Sequence, residues 1–231
     1  MYYLCGQKSR IITFKIFMKK FFIFSIAFLA LASCDNRPKF VVSGTIANAD
    51  TINGKRVVVY DDWNNASYRD TTVIKKGSFS LKFRLDEPTV FRGSILNTDL
   101  KDFILISEEG NATVQVNEDG SYTVGGTPLN EKLQIFNSKF GSMETQIVKN
   151  IMEYDTKYAD GTLTDEYKEA FMNKQSKLSD EIWSYYMDYT KENIDNLLGE
   201  YLFFHYYMRL NPENQAKLRS FATQKILDNL R

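Results

Sequence analysis

The stretch Lys76-Gly-Ser-Phe-Ser-Leu-Lys-Phe-Arg-Leu85 decides the fold of the first half of the chain. Apolar and polar side chains alternate along it, and the apolar ones are Phe79, Leu81, Phe83 and Leu85. Alternation with a period of two is typical of a β-strand that packs one face on a core and turns the other face to water. A strand is therefore predicted here, and Lys76-Gly77 supplies the turn before it.

The same alternation extends outward over residues 40 to about 124, and turn residues such as Glu109-Gly110-Asn111 and Asp119-Gly120 interrupt it. The pattern predicts eight strands, at Phe40–Ala47, Arg56–Tyr60, Ser67–Ile74, Ser78–Leu85, Val90–Leu96, Phe103–Ser107, Ala112–Val116 and Ser121–Val124. Short strands at nearly regular spacing indicate an antiparallel β-sandwich or a curled antiparallel sheet.

The hydrophobic period becomes helical after Gly125-Gly126. Thr127 is a predicted N-cap, and Pro128 suits the first helical position. Apolar residues then recur at spacings of three and four, at Leu129, Leu133, Phe136, Phe140, Met143, Ile147 and Ile151. Further helices are predicted to start at Thr164, at about Ile194 and at Asn211-Pro212, the last one running to Leu230.

Strands followed by helices indicate an α+β fold. We expect an N-terminal antiparallel β-sandwich or curled sheet over residues 40–126. A C-terminal bundle of about four helices is expected over residues 127–231.

The N-terminus has the organisation of an export signal. Lys19-Lys20 precede the apolar residues 21–30, and Leu31-Ala-Ser-Cys34 follows them. A membrane-spanning helix needs roughly 20 apolar residues, so this stretch is too short and instead suits a secretory signal. Leu31–Cys34 resembles the lipobox of bacterial lipoproteins, whose cysteine carries a diacylglycerol and becomes the N-terminus after cleavage. The resemblance implies a signal peptide over residues 1–33, acylation (such as palmitate) at Cys34, and a tether over residues 34–39.

The positions of the cysteines and of the expected start codon argue against thiol chemistry in the exported part of the chain. Met18 would begin an ordinary signal peptide, so we expect translation to start there and Cys5 never to be made. Cys5 and Cys34 are the two cysteines of the chain. A lipid on Cys34 would leave the exported part without a thiol for a disulfide, a Cys-x-x-Cys pair or a cysteine metal site. The sequence predicts no cofactor and no metal site.

The charge balance argues against a nucleic-acid partner. The chain has 29 basic and 29 acidic residues, and residues 1–33 contain five basic residues and no acidic one. The processed chain would keep 24 basic against 29 acidic residues, a net charge of −5. That charge offers no broad positive surface to nucleic acid. Membrane attachment is expected from the lipids rather than from a polybasic patch.

The strand region also carries an ordered set of turn and strand motifs. They are Phe40-Val-Val-Ser-Gly-Thr-Ile46, Lys76-Gly-Ser-Phe-Ser-Leu-Lys-Phe83, Asp86-Glu-Pro88, Phe103-Ile-Leu-Ile-Ser-Glu-Glu-Gly110 and Val124-Gly-Gly-Thr-Pro-Leu-Asn130. The set resembles a module of Bacteroidetes lipoproteins, the domain of unknown function 4369, over about residues 40 to 130. The resemblance implies an envelope protein, because this module commonly precedes a thioredoxin-like domain in envelope thiol–disulfide proteins.

The chain lacks the redox motif of those thiol–disulfide proteins. It contains no Cys-x-x-Cys, and Arg231 falls about where a thioredoxin-like domain would start. The capped final helix favours a stand-alone module over a truncated coding sequence. A redox role would therefore need a partner in trans.

His205 is the one histidine of the chain and lies in the aromatic run Tyr201–Met208. It could act as a base or a metal ligand, but the sequence offers neither a Gly-x-Ser-x-Gly motif nor a second His or thiol for a transition-metal set. We interpret it as a packed or partner-bonded histidine. The run is expected to be buried between the sheet and the other helices; the alternative is an exposed binding surface.

Other polar clusters have two interpretations each. The residues Asp61-Asp-Trp-Asn-Asn65 could bind calcium through oxygen or place Trp63 against a sugar, but the spacing does not match an EF-hand and favours a solvated hairpin loop. The acidic pairs Glu108-Glu109 and Glu118-Asp119 are expected to be surface acids rather than glycosidase carboxyls. Thr51 and Thr71 lie in Asp-Thr-Ile and Asp-Thr-Thr, which resemble the O-glycosylation sequon of Bacteroidetes envelope proteins.

These observations favour a membrane-anchored cell-envelope lipoprotein that is a binding or interaction module rather than an enzyme. Its anchor is expected to face the periplasm, because Asp35-Asn-Arg37 matches an acidic surface-export signal poorly; surface exposure is the alternative. Its partner would be an unidentified envelope protein or ligand. The alternative functions are an accessory to envelope thiol–disulfide or stress chemistry acting with a thioredoxin-like partner, and an unrecognised hydrolase or glycan-binding protein.

Overall fold

Two four-stranded sheets and the helices that follow them form the part of the chain that the computed structural model describes, residues 37–47, 49–63 and 67–230. The strands are β1 (Lys39–Ile46), β2 (Arg56–Asp61), β3 (Ser67–Val73), β4 (Ser78–Arg84), β5 (Val90–Ile95), β6 (Phe103–Ile106), β7 (Gly110–Val116) and β8 (Tyr122–Gly125). The helices are α1 (Ala49–Ile52), α2 (Pro128–Ala159), α3 (Asp165–Glu192), α4 (Leu197–Tyr207), α5 (Pro212–Arg219) and α6 (Gln224–Asn229). The predicted α+β class, sheets first and helices after, is confirmed.

The strand orders are β4-β1-β7-β8 in one sheet and β3-β2-β5-β6 in the other. Neighbouring strands run antiparallel, as predicted, with one departure: β1 and β7 are parallel, with Phe40 opposite Gly110 and Ile46 opposite Val116. A parallel pair needs a long connection between its strands, and here the second sheet lies between them in the chain. Period-two alternation shows which face of a strand is buried but carries no information about strand direction.

The alternation in β4 places Phe79 and Leu81 in the core, at 6% and 4% exposure, and leaves the serines beside them exposed. Phe79 lies opposite Gly44 of β1, and Phe103 of β6 lies opposite Gly93 of β5. A β-carbon on either glycine would overlap the ring across from it. The two rings stack on each other with centroids 6.0 Å apart, which packs the inner faces of the two sheets together.

Hydrogen bonds involving Glu108, just after β6, and Asn130 of α2 join this helix to the second sheet. Thr127 has the extended N-cap conformation predicted for it, but its side chain makes no capping bond. The Leu129 N–H instead donates to Glu108 Oε1 at 2.7 Å. Buried Asn130, the third residue of α2, accepts a hydrogen bond from the Ile106 N–H and donates one to the Ile106 carbonyl. Glu108, predicted as a surface acid, therefore acts as the helix cap.

The later helices follow the capping signals with two corrections. Thr164 and Asn211 accept hydrogen bonds from Tyr167 and Asn214, as predicted for N-caps. The helix predicted from about Ile194 begins only at Leu197, because Asn196 caps it. The helix predicted to run from Pro212 to Leu230 is two helices, since Thr223 caps α6 separately.

The described residues from Pro38 onward form one compact unit with one continuous hydrophobic core. In α2, the predicted apolar stripe is buried at Leu133, Phe136 and Phe140 but exposed at Ile151. None of the described helices combines the length and apolar character that crossing a membrane requires. The predicted division into residues 40–126 and 127–231 stays a prediction.

Candidate functional site

Two adjoining cavities lie where the ends of β2 and β4 meet α4 and α6. The first has a volume of about 510 Å³ and is lined by Asp61, Arg69, Glu200 and Lys225, among others. The second has a volume of about 580 Å³, and its lining residues are Asp62, Trp63, Tyr201, Phe204, His205 and Asn229. Trp63 and Asn229 line both cavities. We call the pair the Trp63 groove, with a charged half (the first cavity) and an aromatic half (the second).

Asp61, the last residue of β2, holds the turn that carries Trp63. It is 2% exposed and pairs with Arg69. It also accepts hydrogen bonds from Thr89 Oγ1 at 2.8 Å and from the main-chain N–H of Trp63 at 3.1 Å. Burial by itself would raise the pKa of this carboxyl, but the bonds from Arg69 and Thr89 outweigh it and lower the pKa below its usual value. The predicted solvated loop is therefore wrong for Asp61, which anchors the turn; residues 64–66 lie outside the described residues.

The Asp61 network gives a pH-dependent prediction. The unfolded carboxyl has a pKa of about 3.9, and the folded one is lower, so the stabilisation is present above that value and is lost as the pH falls through the folded pKa. At pH 7, Asp61→Asn is expected to lower the free energy of unfolding by about 1.5 kcal/mol, because the Arg69 pair is lost. Urea unfolding across pH 7 to 3 measures this, and the difference from the wild type should shrink below about pH 4.

Asp180→Asn is the matched control, because Asp180 is exposed on α3. It should change stability by less than about 0.5 kcal/mol at either pH. An Asp61→Asn deficit that stays constant down to pH 3 would contradict the ionic explanation.

Glu200 lies on α4 between the charged half and a third cavity that also borders Lys225. Its side chain is 6% exposed, and Lys225 Nζ donates to its Oε2 at 2.6 Å. Its Oε1 is buried and has no hydrogen-bond partner among the described residues. A buried carboxylate oxygen without a donor is costly. Tyr185 Oη and Thr190 Oγ1 are also buried without such a partner, but of these three residues only Glu200 lines the groove.

The aromatic half contains both buried rings and partly exposed ones. Trp63 is 36% exposed and meets Phe204 edge to face, with centroids 5.5 Å apart. Tyr201 is buried, and burial raises the pKa of its hydroxyl, which therefore stays neutral. Because Tyr201 and Phe204 belong to α4, one helix supplies both the rings of this half and Glu200 of the other.

His205 lies in the aromatic half and is exposed. Its ring contacts those of Tyr201 and Tyr206, with centroids 5.2 Å and 4.8 Å away, so the predicted packing holds for one side of the ring. Desolvation of that side lowers the pKa of His205, and the positive charge of Arg209 lowers it further. The imidazole is therefore neutral at pH 7.

The aromatic run Tyr201–Met208 is divided between core and surface. Most of its side chains are buried, as the first interpretation predicted, and Tyr206 packs among rings of α2 and α3, with Phe140 4.9 Å away. Phe204 and His205 open into the groove, and Met208 is exposed. The run is therefore buried on one side, as the first interpretation predicted, and partly exposed on the other; a binding role for the exposed side stays a prediction.

The remaining candidates among the described residues lie apart from the groove lining. Asp119 bonds to Ser121 within the turn before β8, and these bonds lower the pKa of its carboxyl. Thr51 is exposed on α1, whereas the Thr71 hydroxyl on β3 donates to the Val57 carbonyl at 2.9 Å. Glycosylation of either threonine stays a prediction. Cys34 lies outside the described residues, and its lipidation also stays a prediction.

Sequence reasoning identified Trp63 and His205 but missed Glu200 and Lys225. Glu200 stands alone as an acidic residue in an otherwise apolar stretch of α4, which was a usable signal, since glutamate is rarely fully buried without a partner. Lys225 gave no such signal, because an exposed lysine on a short helix is ordinary. The described residues hold no group of three or more His, Cys, Asp or Glu side chains placed to bind a metal ion.

Comparison with known proteins bears on the strand region. Residues 40–133 match the model of a protein family described as a domain of unknown function (DUF4369). No curated protein matches the chain. The matched stretch runs past the last strand into the first turns of α2, and so includes Glu108 and Asn130, the side chains that join helix to sheet.

Proposed function

We infer that this protein is a lipid-anchored lipoprotein of the cell envelope that binds a ligand in the Trp63 groove. The observation that carries the binding role is Glu200 Oε1, a buried acceptor beside the groove without a donor. The anchor rests on the sequence, on Leu31-Ala-Ser-Cys34 after a basic and apolar stretch. Two or three acyl chains would hold the protein firmly, and the short tether would keep it close to a periplasm-facing membrane surface.

The charges in the groove favour binding over catalysis. Three acidic residues of the groove, Asp61, Asp62 and Glu200, pair with Arg69, Arg92 and Lys225, respectively. Acid–base catalysis by two carboxyls requires that their environments move their pKa values apart, so that one is protonated. In the structure a basic side chain holds each of these three carboxyl groups in place, an arrangement that suits fixed hydrogen bonds to a ligand.

The accessory role in envelope thiol–disulfide chemistry is the second candidate, and the DUF4369 match is what favours it. The chain would supply no thiol, so a thioredoxin-like partner would have to bring the redox residues. Cross-linking in the envelope followed by partner identification tests this role. Recovery of no thiol–disulfide protein would contradict it.

Replacing Cys34 tests the anchor. Mass spectrometry of the purified protein should find a diacylglyceryl group on an N-terminal Cys34. Cys34→Ala should abolish lipidation and move the protein from the membrane fraction to the soluble fraction, or leave it with an uncleaved signal. Ser33→Ala, which keeps a small residue before the cysteine, is the matched control and should remain lipidated. An unmodified Cys34, or cleavage elsewhere, would contradict the proposal.

A further inference from the structure

We propose that the ligand of the Trp63 groove is a neutral, polyhydroxylated molecule, a sugar or short oligosaccharide. One ring lies on Trp63, and one hydroxyl donates its hydrogen to Glu200 Oε1. This assignment rests on the proposed function, namely that the groove binds a ligand.

Glu200 determines the kind of polar group that the ligand presents. Its Oε1 accepts only, and it lacks a donor, so the ligand must supply an O–H or N–H. Lys225 already balances the negative charge of this carboxylate through Oε2. A second cation is therefore not needed for charge, and a hydrogen bond from a neutral hydroxyl would satisfy this buried oxygen.

The other charges lead to the same class of ligand. Asp61 pairs with Arg69 in the charged half, and Asp62 pairs with Arg92 beside the aromatic half. Arg84, Asp86 and Glu87 also line the charged half, which therefore has four acidic and three basic side chains and a formal net charge of −1. Such a groove offers both donors and acceptors but only a weak electrostatic attraction for an anion or a cation. Molecules with many hydroxyl groups, which donate and accept at each carbon, match such a surface.

Trp63 supplies the apolar contact that a sugar ring needs. Its main-chain N–H donates to Asp61, which holds the backbone, and its ring meets Phe204 edge to face, so little ordering is required on binding. About a third of it remains exposed between the two cavities. The C–H face of a pyranose ring can cover that surface while its hydroxyl groups point to the polar walls.

The two halves set the expected length of the ligand. Because both cavities border Trp63 and Asn229, a ring on the indole has space to continue in either direction. We expect oligosaccharides to bind more tightly than the corresponding monosaccharide.

Tryptophan fluorescence offers a direct assay, because the chain has two tryptophans and Trp183 is absent from the lining of both cavities. Trp183→Phe leaves Trp63 as the single reporter. The full lipidated protein in a sugar-free detergent is titrated with panels of neutral, acidic and amino oligosaccharides and of peptides. We expect neutral oligosaccharides to change Trp63 emission, and Trp63→Phe, which leaves Trp183, to show no change.

Calorimetry with the best neutral oligosaccharide tests the residues. Trp63→Ala and Glu200→Met should each weaken binding by about tenfold or more, which corresponds to about 1.4 kcal/mol. Glu200→Met keeps the side-chain length and removes the acceptor, and circular dichroism and urea unfolding check its fold. Ile135→Ala, on the exposed face of α2, should bind as the wild type does.

Unchanged binding in both Trp63→Ala and Glu200→Met would overturn the proposal, and so would binding of charged sugars or peptides in place of neutral sugars. A peptide or charged ligand that alters Trp63 emission would overturn the sugar assignment but leave the groove as a binding site. No response to any panel would count against both proposals.

Discussion

Replacing Gly199 with alanine is expected to lower the free energy of unfolding by about 3 kcal/mol. A β-carbon at this position would lie 2.0 Å from the Asn193 carbonyl oxygen and 2.3 Å from its carbon. These are backbone atoms, so no side chain can rotate away, and the start of α4 would have to shift. Equilibrium urea unfolding measures the loss. Because Glu200 follows directly, weaker ligand binding is expected in the same variant.

Gly141→Ala is the matched control, since both glycines lie within helices. Nothing lies within 4 Å of a β-carbon built at Gly141. Alanine is a better helix former than glycine by up to about 1 kcal/mol, so this variant should be more stable than the wild type. Stabilisation by both substitutions would contradict the close approach of α4 to residue 193.

Asn130→Leu is expected to lower the free energy of unfolding by about 3 kcal/mol, although leucine has a similar size. Asn130 is fully buried, and its amide makes bonds of 2.9 Å to the Ile106 N–H and 2.8 Å to the Ile106 carbonyl. Strand β6 is an edge strand, and this amide satisfies the backbone groups that a further strand would otherwise bind. Leucine would leave both backbone groups buried and without partners.

Two measurements separate this mechanism from a general packing defect. Urea unfolding gives the loss of stability, and hydrogen exchange should show faster exchange of the Ile106 amide than of amides in β1. Asn173→Ala, at an exposed position on α3, should change stability by less than about 0.5 kcal/mol. Unchanged protection at Ile106 in Asn130→Leu would contradict the proposed role.

Asn130 and Glu108 show what two of the sequence motifs of the strand region do in the structure. The motifs ending at Gly110 and Asn130 looked like turn and strand signatures in the sequence. In the structure, Glu108 of the first caps α2, and Asn130 of the second binds β6. The match to the domain of unknown function extends to residue 133 and so includes this junction. The motifs therefore specify how the helix is attached, and no catalytic role follows from them.

The candidate site was only partly predictable. Trp63 was noted because a tryptophan in a polar loop could lie against a sugar, and His205 because the chain has no other histidine. Glu200 and Lys225 are 25 residues apart in the chain and lie on different helices. Their bond depends on how α4 and α6 pack, and no local pattern in the sequence records that packing.

The sequence by itself determined the α+β class, the buried face of β4 and the caps at Thr164 and Asn211, because each depends on residues within one or two turns or strands. The export signal stays a prediction from the sequence. Only the tertiary structure decided the parallel pairing of β1 with β7, the capping of α2 by Glu108 and the Trp63 groove. Hydrophobic periodicity predicts which face of a strand or helix is buried. Which element packs against that face depends on contacts between residues far apart in the chain, and the periodicity does not encode them. The unpaired oxygen of Glu200, on which the proposed function depends, results from that packing.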